Sequence, residues 1–243
     1  MNIIKLNAID STNEFLKRLK RETHIDDFTI VTADFQTKGK GQMGSVWKSE
    51  SSKNVMVSIL KKFYDLDISL QFNISLATSV AVYKTINLYI PDKLSIKWPN
   101  DILSDGFKIA GILIENTIVD SQISDTIIGI GINVNQEMFP KEIEKVTSLK
   151  LELNAEVDRD LLLKILLKNL EIELLKVTNK DFINLKEEYL NHLYKKGIPT
   201  MFEDSRNIKF LGLIKDVSDS GELIIELENE QMKSFNLKEI KFL

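Results

Sequence analysis

The chain has 243 residues, no cysteine, only two histidines and a formal net charge of −4. These counts exclude disulfides, thiol nucleophiles and the common zinc sets, and the acidic balance gives no general attraction to nucleic acid. Hydrophobic residues make up 43% and charged residues 28%, which is ordinary for a soluble globular protein, and no run approaches the roughly 18 apolar residues of a membrane span. No secretory signal is visible at the start, so the expected location is cytoplasmic. Any chemistry must rest on Lys, Arg, Asp, Glu, Asn and backbone groups.

Ser11-Thr12-Asn13-Glu14 has the spacing of a capping box, and Phe15, Leu16 and Leu19 mark one apolar face, so a first helix is expected over Thr12–Arg21. Phe28–Ala33 and Asn54–Leu60 are β-rich and read as strands. The polar, glycine-bearing stretch Gln36–Lys53 between them is too long for a hairpin turn and reads as a functional loop. Asp67–Tyr89 repeats apolar residues at helical spacing and predicts a core-packed helix. Leu94–Trp98 reads as a strand stopped by Pro99, Asp105-Gly106 as a turn, and Lys108–Asn116 and Asp125–Asn133 as β runs. Two helices follow at Asp158–Lys176 and Lys180–Tyr194. After Lys196 the texture changes to short β runs, Ile208–Ile214, Leu223–Leu227 and Met232–Leu237. A division into a large domain, 1–196, and a small β domain, 197–243, is expected, the small one being marginal alone and packed on the large one.

Four segments carry candidate chemistry. Gly39-Lys40-Gly41-Gln42-Met43-Gly44 satisfies G-x-G-x-x-G literally, but a dinucleotide fingerprint needs a helix opening directly on it, and Ser45–Ser52 is polar and leads into a strand. The segment is either a loop whose backbone amides and Lys38 and Lys40 meet an anion, or a mobile surface loop. In Lys97-Trp98-Pro99-Asn100-Asp101 a proline ends the strand and holds an amide and a carboxylate behind it. Asp101 suits Mg²⁺ carried on a nucleotide, which takes one or two protein carboxylates, or else the pair forms a turn capping the following hairpin. In Lys108–Glu115 the period of two places Lys108, Ala110, Ile112 and Ile114 on one face, a cation heading an apolar stripe. Such a lysine either reaches solvent by its stem or meets a ligand in the room left by Ala110 and Gly111. Ile128-Gly129-Ile130-Gly131-Ile132-Asn133 has two glycines in a buried strand, marking either a close approach or bulges.

In order along the chain, Ser11-Thr12-Asn13, Gln36 through Trp47, Lys97–Asp101, Lys108–Ile112 and Gly129–Asn133 together resemble the biotin–protein ligases. The Lys-Trp-Pro-Asn-Asp pentapeptide and the Lys-x-Ala-Gly-Ile strand are the most specific parts. The resemblance implies an α+β fold: a mixed β-sheet catalytic domain of the class II aminoacyl-tRNA synthetase and biotin synthetase type, plus a small C-terminal SH3-like β-barrel. It implies ATP, Mg²⁺ and biotin as cofactor and substrates, biotinyl-5′-AMP as intermediate, and a biotin carboxyl carrier protein domain as acceptor. Carried over, Ser11, Thr12, Asn13, Gln36, Lys40, Gly41, Gln42, Lys108, Gly111, Gly129 and Gly131 would meet biotin. Trp47, Asn100, Asp101, Lys108 and Asn133 would meet the nucleotide, with Asp101 on the metal and Lys108, Lys40 and Lys97 as catalytic cations. Many members carry arginine where this chain has Gln42, so its loop is less cationic. Only ten residues precede Ser11, short of a DNA-binding arm, so no repressor role is expected; a homodimer stays open. The arginine-rich, glycine-triplet loop of lipoate–protein ligases is absent, and the lack of cysteine argues against an octanoyltransferase.

Overall fold

The computed structural model describes residues 2–243. Among them the chain runs β1 (Asn2–Ile9), α1 (Thr12–Glu22), β2 (Thr29–Gln36), β3 (Val55–Lys62), α2 (Phe72–Asn87), β4 (Leu94–Lys97), β5 (Asp101–Ser104), β6 (Phe107–Val119) and β7 (Gln122–Ile132). It continues through α3 (Leu149–Leu153), α4 (Arg159–Thr178), α5 (Phe182–Asn191), β8 (Thr200–Asp204), β9 (Lys209–Val217), β10 (Leu223–Leu227), β11 (Met232–Phe235) and β12 (Ile240–Phe242). The first seven strands form a mixed sheet in the order β1-β2-β3-β7-β6-β5-β4, with β1 parallel to β2 and the other pairs antiparallel. The last five form a second, antiparallel sheet.

Strand alternation decides what each face of the large sheet does. Along β7, Ile128, Ile130 and Ile132 point one way with Val57, Ile59, Ala110 and Ile112 of the neighbouring strands, and all are buried with α2 and α4 in one core. Each fully buried aliphatic side chain of this kind contributes about 1.5–3 kcal/mol. On the opposite face α1 covers half of the sheet, packing Leu16 on Val31, Leu60 and Ile127. Glycines line the other half, because Gly129 and Gly131 pair in continuous register with Leu113 and Gly111 of β6. They are a floor and not bulges. The second sheet shares the main core through Phe202, Ile214, Val217, Leu223 and Phe235, and the Trp98 indole N–H donates to Gly221 O at 2.9 Å.

Several elements depart from expectation. β1, β5, α3, β8 and β12 have no counterpart in the sequence reading. β1 is an edge strand, largely exposed, so its sequence lacks a clean apolar alternation. The helix expected from Asp67 opens as a 3-10 turn, Ile68–Leu70, before α2 begins at Phe72. Asp101 begins β5 and does not cap the hairpin; the turn at Asp105-Gly106 has φ of 47° and 84°, the left-handed pair of a tight hairpin. The capping box fails: Ser11 makes no side-chain cap, and its own N–H donates to Asp10, while the Thr12 N–H donates to Gln36 Oε1 at 2.8 Å. A side chain from β2 has replaced the local cap.

Candidate active site

The period-two assignment of Lys108 is also overturned, and the cause defines the site. Ile102 pairs with Ala110, but Leu103 pairs with Lys108, so β6 carries one extra residue there. A β-bulge re-aims the side chains on one side of it. Ala110 and Ile112 stay in the core, while Lys108 turns to the glycine face: a Cβ on Gly111 would lie 3.2 Å from Lys108 Cε and Nζ. Asp101 pairs with Gly111, Gly111 with Gly131 and Gly131 with Met56, giving one row across four strands. The Lys108 ammonium lies 2.6 Å from Asp101 Oδ1.

Above this row is a cavity of about 310 Å³. Its walls include Ser11, Thr12 and Asn13 from the start of α1, Gln36 from the end of β2, and Lys40, Gly41, Gln42 and Trp47 from the glycine loop. Asn100, Asp101, Lys108, Gly111, Gly129 and Gly131 complete the set drawn from the sequence. The loop crosses the cavity mouth as a bridge between Lys40 and Val46, with a 3-10 turn at Gln42–Gly44 and a strand after it. No helix opens there, in keeping with the rejection of a dinucleotide fingerprint. Trp47 lies on the glycine floor: a Cβ at Gly131 would lie 2.6 Å from its indole. Its Nε1 is buried without a hydrogen-bond partner. Gln42 also borders a second cavity of about 320 Å³ between α2 and the C-terminal sheet, shared with Asn100. Asn100 ties the β6 edge beyond β5: its Nδ2 donates to Ile112 O at 2.7 Å, and its O accepts from Ile112 N at 3.0 Å.

At the α1 end the polar groups are wired to one another. Gln36 Oε1 faces Thr12 N and Oγ1 at 2.8 and 3.1 Å, and Thr12 Oγ1 lies 2.7 Å from the buried Ser58 Oγ. Ser58 also bonds Asn13 Oδ1, and Asn13 Nδ2 donates to Glu115 at 2.8 Å. Gly129 is required beneath, since a Cβ there would overlap Asn13 Oδ1. At the mouth Lys40 pairs with Glu14 at 2.8 Å, and Lys17 joins Glu14 to Glu115 at 3.0 and 2.6 Å. Hydrogen bonds from Lys40 and then Lys17 hold the Glu14 carboxyl below the usual glutamate range.

Two sequence candidates lie outside the cavity wall. Asn133 is buried, and its Nδ2 donates to Thr147 O at 2.9 Å. Lys97 pairs with Asp101 across β4 and β5, yet its ammonium sits 5.1 Å from the ring of Phe242 in the second sheet. Burial lowers its pKa against the pull of Asp101, with Lys108, Lys145 and Lys195 adding repulsion. Sequence reasoning missed Ser58, Glu14, Lys17 and Glu115. Glu115 was detectable in principle, as it falls on the face of Gly111 and Leu113 once the strand period is counted past the bulge.

Among the described residues no three His, Asp or Glu side chains gather as a metal cage. Asp101 is a single carboxylate in the cavity wall, with a buried oxygen that accepts no hydrogen bond of good geometry. Such a donor set fits Mg²⁺ delivered on phosphates, which uses one or two protein carboxylates.

A neutral donor and acceptor set at one end and a lysine with a carboxylate at the other suit a substrate with a polar head and a carboxyl to be activated. Fold and site together define an acyl-activating ligase. The sequence pattern of the Biotin/lipoate A/B protein ligase family matches residues 6–133, more than half of the chain, and the chain belongs to that family. It is 34% identical to the bifunctional ligase/repressor BirA of Bacillus subtilis over 99% of this chain and 74% of that protein. It is 28% identical to the biotin–[acetyl-CoA-carboxylase] ligase of Mycobacterium tuberculosis over 89% of this chain and 80% of that one. The biotin protein ligase of Aquifex aeolicus, solved in complex with biotin and ATP, superposes with a TM-score of 0.81 at 28% identity, covering 100% of this chain and 98% of the other. Within the family the chain is an ATP-dependent ligase of the biotin–protein ligase kind.

Proposed function

We propose that the chain activates biotin with ATP and transfers it to a lysine of a biotin carboxyl carrier protein domain. The observation that carries this reading is the union, in one cavity, of a wired neutral end with the Lys108–Asp101 end. The biotin carboxylate attacks the α-phosphorus of ATP, the bond to the bridging oxygen breaks, and pyrophosphate leaves. Two anionic groups must meet, and fixed cations lower that cost. Lys108 is the cation at the reacting atoms, and Lys40 reaches in from the loop. Lys97, farther off under Phe242, adds its field. Asp101 is the residue that would hold Mg²⁺, which neutralises phosphate charge. Asn100 faces the nucleotide side, while Asn133 supports it by fixing the segment at Thr147.

The resulting mixed anhydride, biotinyl-5′-AMP, must be kept from water until the neutral acceptor amine attacks its acyl carbon and AMP departs. The glycine loop, with Trp47 on the floor, supplies this cover. Gln42 stands where many relatives have arginine, so Lys38 and Lys40 provide the loop's charge. A Lys40→Ala enzyme is expected to activate biotin yet release the adenylate faster, as read by the half-life of enzyme-bound biotinyl-AMP; an unchanged half-life removes Lys40 from that role.

The acceptor assignment draws on the similarity to a biotin–[acetyl-CoA-carboxylase] ligase. We assign residues 1–196 to the catalytic unit and 197–243 to an SH3-like unit, supported by the change of sheet after Gly197. The net charge of −4 supports a ligase without DNA binding. No helix of the described chain is long and apolar enough to cross a membrane. The experiment incubates the protein with a carrier domain, ATP, Mg²⁺ and either biotin or lipoate, and weighs the intact acceptor. Addition of one biotinyl group is expected; addition of lipoyl alone overturns the reading.

A further inference from the structure

We propose that Glu115 is a positioning and specificity-determining residue: through Asn13 it sets which atoms of the α1 end present lone pairs and which present protons to the ligand. The inference rests on the reading that this end receives the ring system of biotin, a cyclic urea with two N–H donors and one carbonyl acceptor.

An asparagine amide can be seated either way round, so its orientation depends on its partners. Glu115 Oε2 faces Asn13 at 2.8 Å, while Glu115 Oε1 is held by Lys17 at 2.6 Å. An ionised carboxylate only accepts, so Asn13 must turn Nδ2 toward it and Oδ1 toward Ser58. Ser58 has one hydroxyl proton, and Asn13 Oδ1 cannot supply another, so Ser58 donates to Asn13. Of the two acceptors then facing the Thr12 hydroxyl, Ser58 Oγ at 2.7 Å is nearer than Gln36 Oε1 at 3.1 Å and takes its proton. Gln36 Oε1 is satisfied by the Thr12 backbone N–H at 2.8 Å. What remains toward the cavity is a Thr12 oxygen offering lone pairs, a Gln36 Nε2 offering protons and the uncapped hydroxyl of Ser11. That pattern complements a cyclic urea. With Asn13 reversed, Ser58 would accept from its amide and donate to Thr12, and the Thr12 proton would go to Gln36 Oε1, so that Thr12 and Gln36 would each have one lone pair fewer for a ligand N–H. A chain ending on an acceptor-only group has one polarity; without Glu115 it has two.

The role differs from a structural one. The Lys17 and Glu115 side chains are 32% and 29% exposed, and ion pairs that meet water contribute about 0–1 kcal/mol. Removing Glu115 should therefore leave folding nearly intact and be felt by biotin alone.

The test measures biotin and ATP KM in biotin-dependent ATP–pyrophosphate exchange with the full chain. Glu115→Ala is expected to raise the biotin KM about tenfold while the ATP KM stays within about twofold of wild type, the loss of one ligand hydrogen bond. Glu115→Gln, which can still offer an oxygen to Asn13, should recover most of the loss. In an Asn13→Ala background Glu115→Ala should add nothing. Glu115→Leu, close in volume, runs the same cycle if the alanine variant does not fold. A biotin KM unchanged in Glu115→Ala, equal rises for biotin and ATP, or the same penalty without Asn13 overturns the proposal. Exchange by wild type with lipoate and not biotin instead overturns the functional reading, whatever the variants do.

Discussion

The two ends of the cavity are built by opposite rules. At the α1 end Thr12, Asn13, Gln36 and Ser58 satisfy one another through short hydrogen bonds, over a glycine that leaves room for them. At the β5–β6 end a lysine ammonium lies 2.6 Å from a carboxylate, and Trp47 Nε1 is buried without a hydrogen bond. Native proteins leave few buried polar atoms unsatisfied, and those they leave call for an explanation. The contrast teaches a division of labour. Under the proposed function, the satisfied neutral groups would recognise a neutral ring by shape and polarity, whereas the charged groups would stand where charge develops during reaction.

Removing the charge should have the largest effect. Lys108→Ala is expected to lower the rate of ATP–pyrophosphate exchange by about 10²–10³, the usual cost of deleting one fixed donor at developing charge. A loss under about tenfold would place the activating charge elsewhere and break the division drawn here. The next largest effect tests the recognising end. Gly129→Ala puts a methyl group onto Asn13 Oδ1, and such overpacking typically costs about 1–3 kcal/mol, so biotin affinity by calorimetry should fall at least about fivefold. If ATP affinity falls equally, the two ends are not separate. Thr12→Val keeps the shape and deletes the hydroxyl that links Gln36 and Ser58; the net worth of such a bond, about 1 kcal/mol, predicts a biotin KM about fivefold higher. An unchanged KM would remove Thr12 from recognition.

Legibility in the sequence followed the same contrast. Ser11, Thr12, Asn13, Gln36 and the glycines, which line the cavity, could be picked out because the segments that hold them resemble the biotin–protein ligases. The helix over Thr12–Arg21 and the β runs of the large sheet came from periodicity. Lys108 was picked but aimed wrongly, since a bulge is decided by pairing with Ile102 and Leu103 and leaves no local mark. Asn133 and Lys97 belong to the segments that carry the resemblance, yet partners from other parts of the chain, Thr147 and Phe242, turn their side chains elsewhere. The capping box misled because Gln36, 24 residues away, supplies the acceptor for Thr12 N. Glu115 and Ser58 stayed hidden for a related reason: each matters only through the helix that lands beside it.

The smallest effect separates loop closure from folding. Lys40, half exposed, ties the glycine loop to Glu14 on α1, and Lys17 shares that carboxylate. The folded Glu14 carboxyl is more acidic than the unfolded one, with the Lys40 hydrogen bond as the main cause. A depressed carboxyl stabilises the fold at pH above its unfolded value and loses that contribution as pH falls through the folded value. Glu14→Gln should therefore cost less than about 1 kcal/mol at neutral pH, as an exposed pair does, and the difference in Tm from wild type should shrink toward zero on acidification below the ordinary glutamate range. High salt should shrink it too, because exposed pairs are screened. A Tm difference that persists unchanged in acid would mean that Glu14 supports α1 by packing and does not latch the loop, and the mouth of the cavity would then belong to the rigid, recognising half of the site.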